Sequence, residues 1–173
     1  MNNIKAYLAI LLAASCFTVC SSQEKKGGVL QDFAALAGNW EGSLTYLDYT
    51  TGKPYTMPAN VAIKRIGQTN RFTFSNSYPK EQSANATDTL TISGDGRYID
   101  TELVKERNVS ANGDIEIVTE EKGKDGNDNK SAVFRHTYTV GKMHFTRRKE
   151  VQFEGEMDWI KRHEYTYKRR PGQ

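Results

Sequence analysis

Residues 132–168 read AVFRHTYTVGKMHFTRRKEVQFEGEMDWIKRHEYTYK, and the alternation inside this stretch decides the fold class. Ala132, Phe134, His136, Tyr138 and Val140 take the even positions, with Val133, Arg135, Thr137 and Thr139 between them. A period of two belongs to a strand with one face buried, not to a helix. Gly141-Lys142 suits a two-residue turn that sets Val140 opposite Met143. The next strand then carries Met143, Phe145, Arg147, Lys149, Val151 and Phe153 on the face that continues the first. Glu154-Gly155-Glu156 makes a three-residue loop with glycine available for the left-handed position, and the chain returns at Met157. A third strand follows, with Met157, Trp159, Lys161, His163, Tyr165 and Tyr167 on one face and Arg162 on the other.

These two turns generate cross-strand rows. Tyr138, Phe145 and Tyr165 form one, and Val140, Met143 and Tyr167 the next; both suit an interior. His136, Arg147 and His163 form a third row, and Phe134, Lys149 and Lys161 a fourth, so cations are expected on the inner face. His144 faces the other way. A slip of one residue would send all of them outside.

Outward from this core the same pattern recurs. Leu30, Phe33, Ala34 and Leu36 fall at helical spacing within 29–37, and Gly38 ends that helix. Strands are expected at 39–49, around Val61 and Ile63, at 72–78 and at 87–93. Gly52, Pro54 and Pro58 mark a long loop after the first strand. Asp95-Gly96 is a hairpin turn that pairs Ile92 with Ile99, and a weaker strand pair, 98–109 and 114–120, folds about Asn112-Gly113. Nine or ten short strands and one helix result, with no helical crossovers to make a parallel sheet. The expected class is all-β: an antiparallel up-and-down barrel of about eight to ten strands, whose closure removes exposed edges. A β-sandwich is the alternative.

A short helix running into Gly38-Asn39-Trp40 at the start of the first strand resembles the Gly-x-Trp opening of the lipocalins and the wider calycin group. The resemblance implies that Trp40 closes one end of the barrel and is met by a basic residue near the end of the last strand. Arg169 or Arg170 has the position for that, with Lys168 behind them. It also implies a lid after the first strand, for which Tyr49, Tyr55 and Met57 are available.

At the N-terminus Lys5 precedes an uncharged apolar run from Ala6 to Ala14, too short to span a bilayer, which reads as a signal peptide over 1–21. Val19-Cys20-Ser21 suits an ordinary signal peptidase, whereas Ala13-Ala14-Ser15-Cys16 resembles a bacterial lipoprotein box; Cys16, or else Cys20, would then carry lipid. Residues 22–28 read as a flexible tether and 29–170 as a single barrel domain. The localisation expected is exported: periplasmic, secreted or lipid-anchored to the outer membrane. Both cysteines lie in the leader, so no disulfide framework is expected. Past the leader 23 basic and 21 acidic residues leave a net charge of +2, too mild to argue for nucleic acid or an anionic membrane as partner.

No nucleophile elbow, His-Glu-x-x-His or phosphate loop occurs. Asp125, Asn127, Asp128 and Asn129 echo half a calcium loop, without its glycine or its final glutamate. A guanidinium between two imidazoles repels a metal ion, so neither a metal nor a cofactor is expected. The same row suits anion capture, because arginine stays charged when buried and its fork fits a carboxylate. The candidate ligand-binding residues are Arg147, His136, His163, Tyr138, Tyr165, Lys149 and Lys161, with Phe134, Phe145 and Trp159 lining the cavity. The expected function is non-catalytic binding of a small apolar or amphipathic ligand, its anionic group on Arg147. Two alternatives stand: a ligand-free interaction domain of the bacterial envelope, in which Asp100 or Glu102 pairs with these cations, or an isomerase-like or hydrolase-like enzyme using His136 or His163 as a base.

Overall fold

Turns built on glycine, asparagine and aspartate separate the ten strands of the computed structural model, which describes residues 28–48 and 51–170. Helix α1 (Val29–Ala35) leads into β1 (Gly38–Asp48), β2 (Lys53–Arg65), β3 (Arg71–Ser77), β4 (Ala86–Thr91) and β5 (Tyr98–Ile99). β6 (Glu102–Val109), β7 (Ile115–Asp125), β8 (Lys130–Val140), β9 (His144–Phe153) and β10 (Ile160–Arg169) complete the chain. Every neighbouring pair is antiparallel, in the order β4-β3-β2-β1-β10-β9-β8-β7-β6-β5. The two ends of that order meet where Ile92 bridges Ile99 across the Asp95-Gly96 turn, and where the Asp100 N–H donates to Thr91 O at 2.7 Å. The sheet is therefore a nearly closed barrel, not a sandwich, with one open seam between β4 and β6. Gly42 sits where β1 presses on β10: a Cβ there would lie 2.0 Å from Thr166 O, which only glycine avoids.

One end of the barrel is plugged by α1. Phe33 is fully buried with its ring 5.3 Å from Tyr138 and 6.2 Å from Phe72. A bulge between Val104 and Glu106 turns Arg107 inward, opposite Ile117, and its guanidinium donates to both carboxylate oxygens of buried Asp32 at 2.7 and 2.9 Å. The Trp40 indole donates to Leu36 O at 2.8 Å. Arg169 lies 4.2 Å over the Trp40 ring and donates to the carbonyls of Ala35 and Ala37, at the C-terminal end of the helix. Arg170 instead pairs with Glu41 at the surface, and Lys168 is exposed.

Several sequence expectations are corrected. The two-residue loop between β8 and β9 is Lys142-Met143, closed by the Gly141 N–H to His144 O, so Val140 faces Phe145, and Met143 is half exposed. Moving the loop by one residue moves every partner by two, which preserves the faces and changes the rows. The rows are Val140–Phe145–Tyr167, Tyr138–Arg147–Tyr165 and His136–Lys149–His163. Beyond Lys149 a bulge between Lys161 and His163 sets Lys161 opposite Glu150. Lys161 is exposed, within 3.5 Å of Glu164, and Arg162 swings to Asp125 at the barrel rim instead of facing out. Trp159 precedes β10 and covers Arg135 at 3.7 Å, on the outer face, while Met157 is 91% exposed.

The expected lid is strand. β2 begins at Lys53, with Pro54 opposite Leu47 and Pro58 opposite Ser43; both prolines precede the residues that β3 pairs, so neither removes an N–H from the β2–β3 ladder. Tyr55 packs against Tyr46 and Met57 is buried; Tyr49, like the leader with Cys16 and Cys20, lies outside the described residues.

Candidate functional site

Midway along the barrel, beyond the apolar plug, the interior turns polar. β9 places Arg147 and Lys149 on its inner face, two residues apart, and β8 and β10 flank them with Tyr138, Tyr165, His136 and His163. β3 and β4 form the opposite wall with Phe74, Asn76, Tyr78 and Asp88, because the alternation that buries Phe72 and Leu90 turns these the same way.

Between these walls lies a cavity of about 200 Å³. Arg147, His163, Tyr165 and Tyr167 line it from one side, Asn76, Tyr78 and Asp88 from the other, over Val61, Phe74 and Phe145. It opens by β4, where Ala86 and Asp88 are exposed. Tyr78 and Tyr165 share a hydroxyl hydrogen bond of 2.9 Å across it. The Asn76 amide donates to Asp88 Oδ2 at 3.2 Å.

The guanidinium of Arg147 is the unusual group. Its Nε is buried without a hydrogen-bond partner, and among the described residues no carboxylate is within ion-pair distance of it. Glu102 acts on it only through space, and burying a cation with no counter-charge in contact is costly, because the group cannot discharge by losing a proton. Around it burial raises the tyrosines above their ordinary range, Tyr138 to about 12, so they remain neutral hydroxyls. Burial, with the Arg147 charge next, pushes His163 down to about 4, which leaves it a neutral imidazole at neutral pH.

His136 does something else. Its Nδ1 lies 2.7 Å from Glu102 Oε1, off the line of an ideal hydrogen bond, and Thr119 donates its hydroxyl to the other carboxylate oxygen. Burial works to raise the Glu102 carboxyl, but His136, the Thr119 hydroxyl and the Arg147 charge together hold it below the ordinary range. His136 is buried and does not line the cavity.

Of the sequence candidates, the structure gathers Arg147, His163, Tyr165 and Phe145 at the cavity. Tyr138 lies behind Arg147, its ring 5.9 Å from the guanidinium carbon, in contact with α1. Lys149 sits 4.3 Å over the Phe134 ring, away from the cavity lining. Lys161 and Trp159 are outside. Tyr78, Asn76, Asp88 and Tyr167 were missed as site residues. Their strand periods assign them to the inner face, but nothing local says that β3 and β4 stand across from β9 and β10.

No protein-family model matches the sequence. Curated proteins return no match. Among solved structures, the chain is similar to Rv2717c from M. tuberculosis at 15% identity and a TM-score of 0.54, over 83% of this chain and 98% of that one. It is also similar to the S-type phycobiliprotein lyase CPES from Guillardia theta, at 10% identity and a TM-score of 0.47, over 86% and 96%. A protein of unknown function from the DUF3598 family of Nostoc punctiforme matches at 15% identity and a TM-score of 0.40, over 80% of this chain and 49% of its own. At 15% identity the likeness to Rv2717c bears on the fold alone: a lipocalin-like, calycin-type barrel.

Proposed function

We propose that this chain is an exported, non-catalytic barrel that binds a small amphipathic molecule, with the anionic group of that molecule on Arg147. The observation that carries the reading is the interior guanidinium with no carboxylate in contact, which Glu102 reaches only through space, beside a cavity that opens to solvent. An anionic occupant adds charge-assisted hydrogen bonds to a guanidinium that no carboxylate of the described residues contacts. The half of the cavity made by Val61, Phe74 and Phe145 offers nothing polar and suits hydrocarbon.

An acid–base role has less to stand on. Two histidines have carboxylate partners, His136 with Glu102 and His144 with Asp114, and neither lines the cavity, so no substrate proton held there comes within reach of them. Glu102, Thr119 and His136 then serve as a polar layer behind the cavity, joined by the Thr119 hydrogen bond and the His136–Glu102 approach. The leader, cleaved or lipidated at Cys16 or Cys20, belongs to the same proposal, as does an envelope location.

Native mass spectrometry of the chain purified from its own host tests the binding. The expected result is a co-purifying small molecule that is lost in Arg147→Met, while the variant keeps the wild-type circular dichroism. A bare mass from the host, together with no thermal shift in any small carboxylate or phosphate, would overturn the proposal.

A further inference from the structure

Resting on that reading, we infer that the occupant is a small monocarboxylate, and that Asp88 at the cavity mouth excludes more highly charged anions. The argument begins with the charges that face the cavity. Arg147 is the one permanent cation in its lining and Asp88 the one carboxylate; among the described residues Asp88 has no ion-pair partner, only the Asn76 amide. His163 adds no charge near neutral pH, and the Lys149 ammonium lies over Phe134. The lining is thus neutral overall and Glu102 already acts on Arg147 through space, so every negative charge of an occupant beyond the one seated on the guanidinium works against Asp88. A phosphate monoester, with a charge of about −1.5 to −2 at neutral pH, would set its excess against Asp88.

Donor geometry suits a carboxylate without selecting it. Arg147 lines the cavity, and a guanidinium fork meets two oxygens of a carboxylate or of a phosphate, so the choice between them rests on charge. Of the two hydroxyl protons in the Tyr78–Tyr165 pair, one is spent on the bond between them, which leaves the other to donate into the cavity. Size sets the remaining limit. About 200 Å³ lies below the roughly 300 Å³ at which pockets for drug-sized molecules begin, so a long acyl chain has no room. The walls at Val61, Phe74, Ala86 and Phe145 still call for a hydrocarbon part, which a bare inorganic anion lacks.

Isothermal titration of the full chain at neutral pH with phenylacetate, phenyl phosphate and palmitate separates the possibilities. Phenylacetate is expected to bind and to lose on the order of ten- to a hundredfold in Arg147→Met. Phenyl phosphate is expected to bind more weakly to the wild type and to gain about two- to fivefold in Asp88→Asn, with no such gain for Arg147→Met. Equal or tighter binding of phenyl phosphate or palmitate by the wild type overturns the assignment while leaving an anion site in place. Failure of all three overturns both. A chemical-denaturation midpoint for each variant no lower than that of wild type verifies that lost binding is not lost folding.

Discussion

His163 shows how one residue ties the candidate site to stability. Its folded pKa of about 4 lies below the value of about 6.5 for an unfolded histidine. Between these two values the unfolded chain takes up a proton that the native chain refuses, so stability falls as the pH drops through that window and is unaffected above it. Glu102 acts with the same sign: a carboxyl held low by His136 contributes stability that is lost as acid protonates it. Urea midpoints measured from pH 7 down to pH 4.5 should therefore decline, by about 2–3 kcal/mol in unfolding free energy for His163 alone. His163→Asn should flatten the part of that decline above pH 5, where carboxylates are still ionised. An unchanged slope would place His163 in solvent. That His163, Arg147 and Tyr165 face inward was legible from alternation alone, because the side-chain period of a strand survives any even error in register. Which of them touch was not, since a loop displaced by one residue re-pairs every row, and the histidines came out beside Lys149 instead of Arg147.

At the level of elements the limit of sequence reading is the bulge. Arg107 falls on the outer face if β6 is read with strict alternation, and the bulge between Val104 and Glu106 puts it inside. Lys161 is the converse case, assigned inward by period and turned out by the bulge before His163. Neither bulge is marked by glycine or proline, so neither had a local signal. The first has an energetic consequence. Asp32 is 3% exposed and its bidentate pairing with Arg107 fastens α1 inside the barrel end. Arg107→Met strands a buried carboxylate and should cost about 3–5 kcal/mol, whereas Asp32→Leu combined with Arg107→Met should recover most of that loss, because the pair exchanges for apolar contact. A double-mutant cycle by urea unfolding reads the coupling. Equal losses in the single and double variants would mean that the ion pair is retained for stability, not merely tolerated by a helix already held by Phe33 and Leu36.

For the whole molecule, the helix plug, the Trp40–Arg169 stack and the polar layer divide the barrel into a rigid end and a looser side. β1 is hydrogen-bonded along its length to β2 and, over Trp40 to Tyr46, to β10 as well; β8 and β9 are likewise paired on both sides. β4 and β6 are different: across the seam the Ile92–Ile99 bridge, the Thr91–Asp100 hydrogen bonds and the two residues of β5 join them at one end, and the Ala86–Asp88 end of β4 is the cavity mouth. Local opening is governed by how many contacts must break at once, so the seam should open far more readily than the opposite wall. Hydrogen exchange followed by mass spectrometry is expected to show the amides of 86–91 and 104–109 exchanging through local opening, and those of 40–46, 134–140 and 163–167 only near global unfolding. A carboxylate bound on Arg147, between β9–β10 and the β3–β4 wall, should then slow exchange in 86–91 beyond what it does for 40–46, since the seam is the path by which the cavity is reached. Uniform protection around the barrel would show a closed structure in which solvent and ligand enter elsewhere.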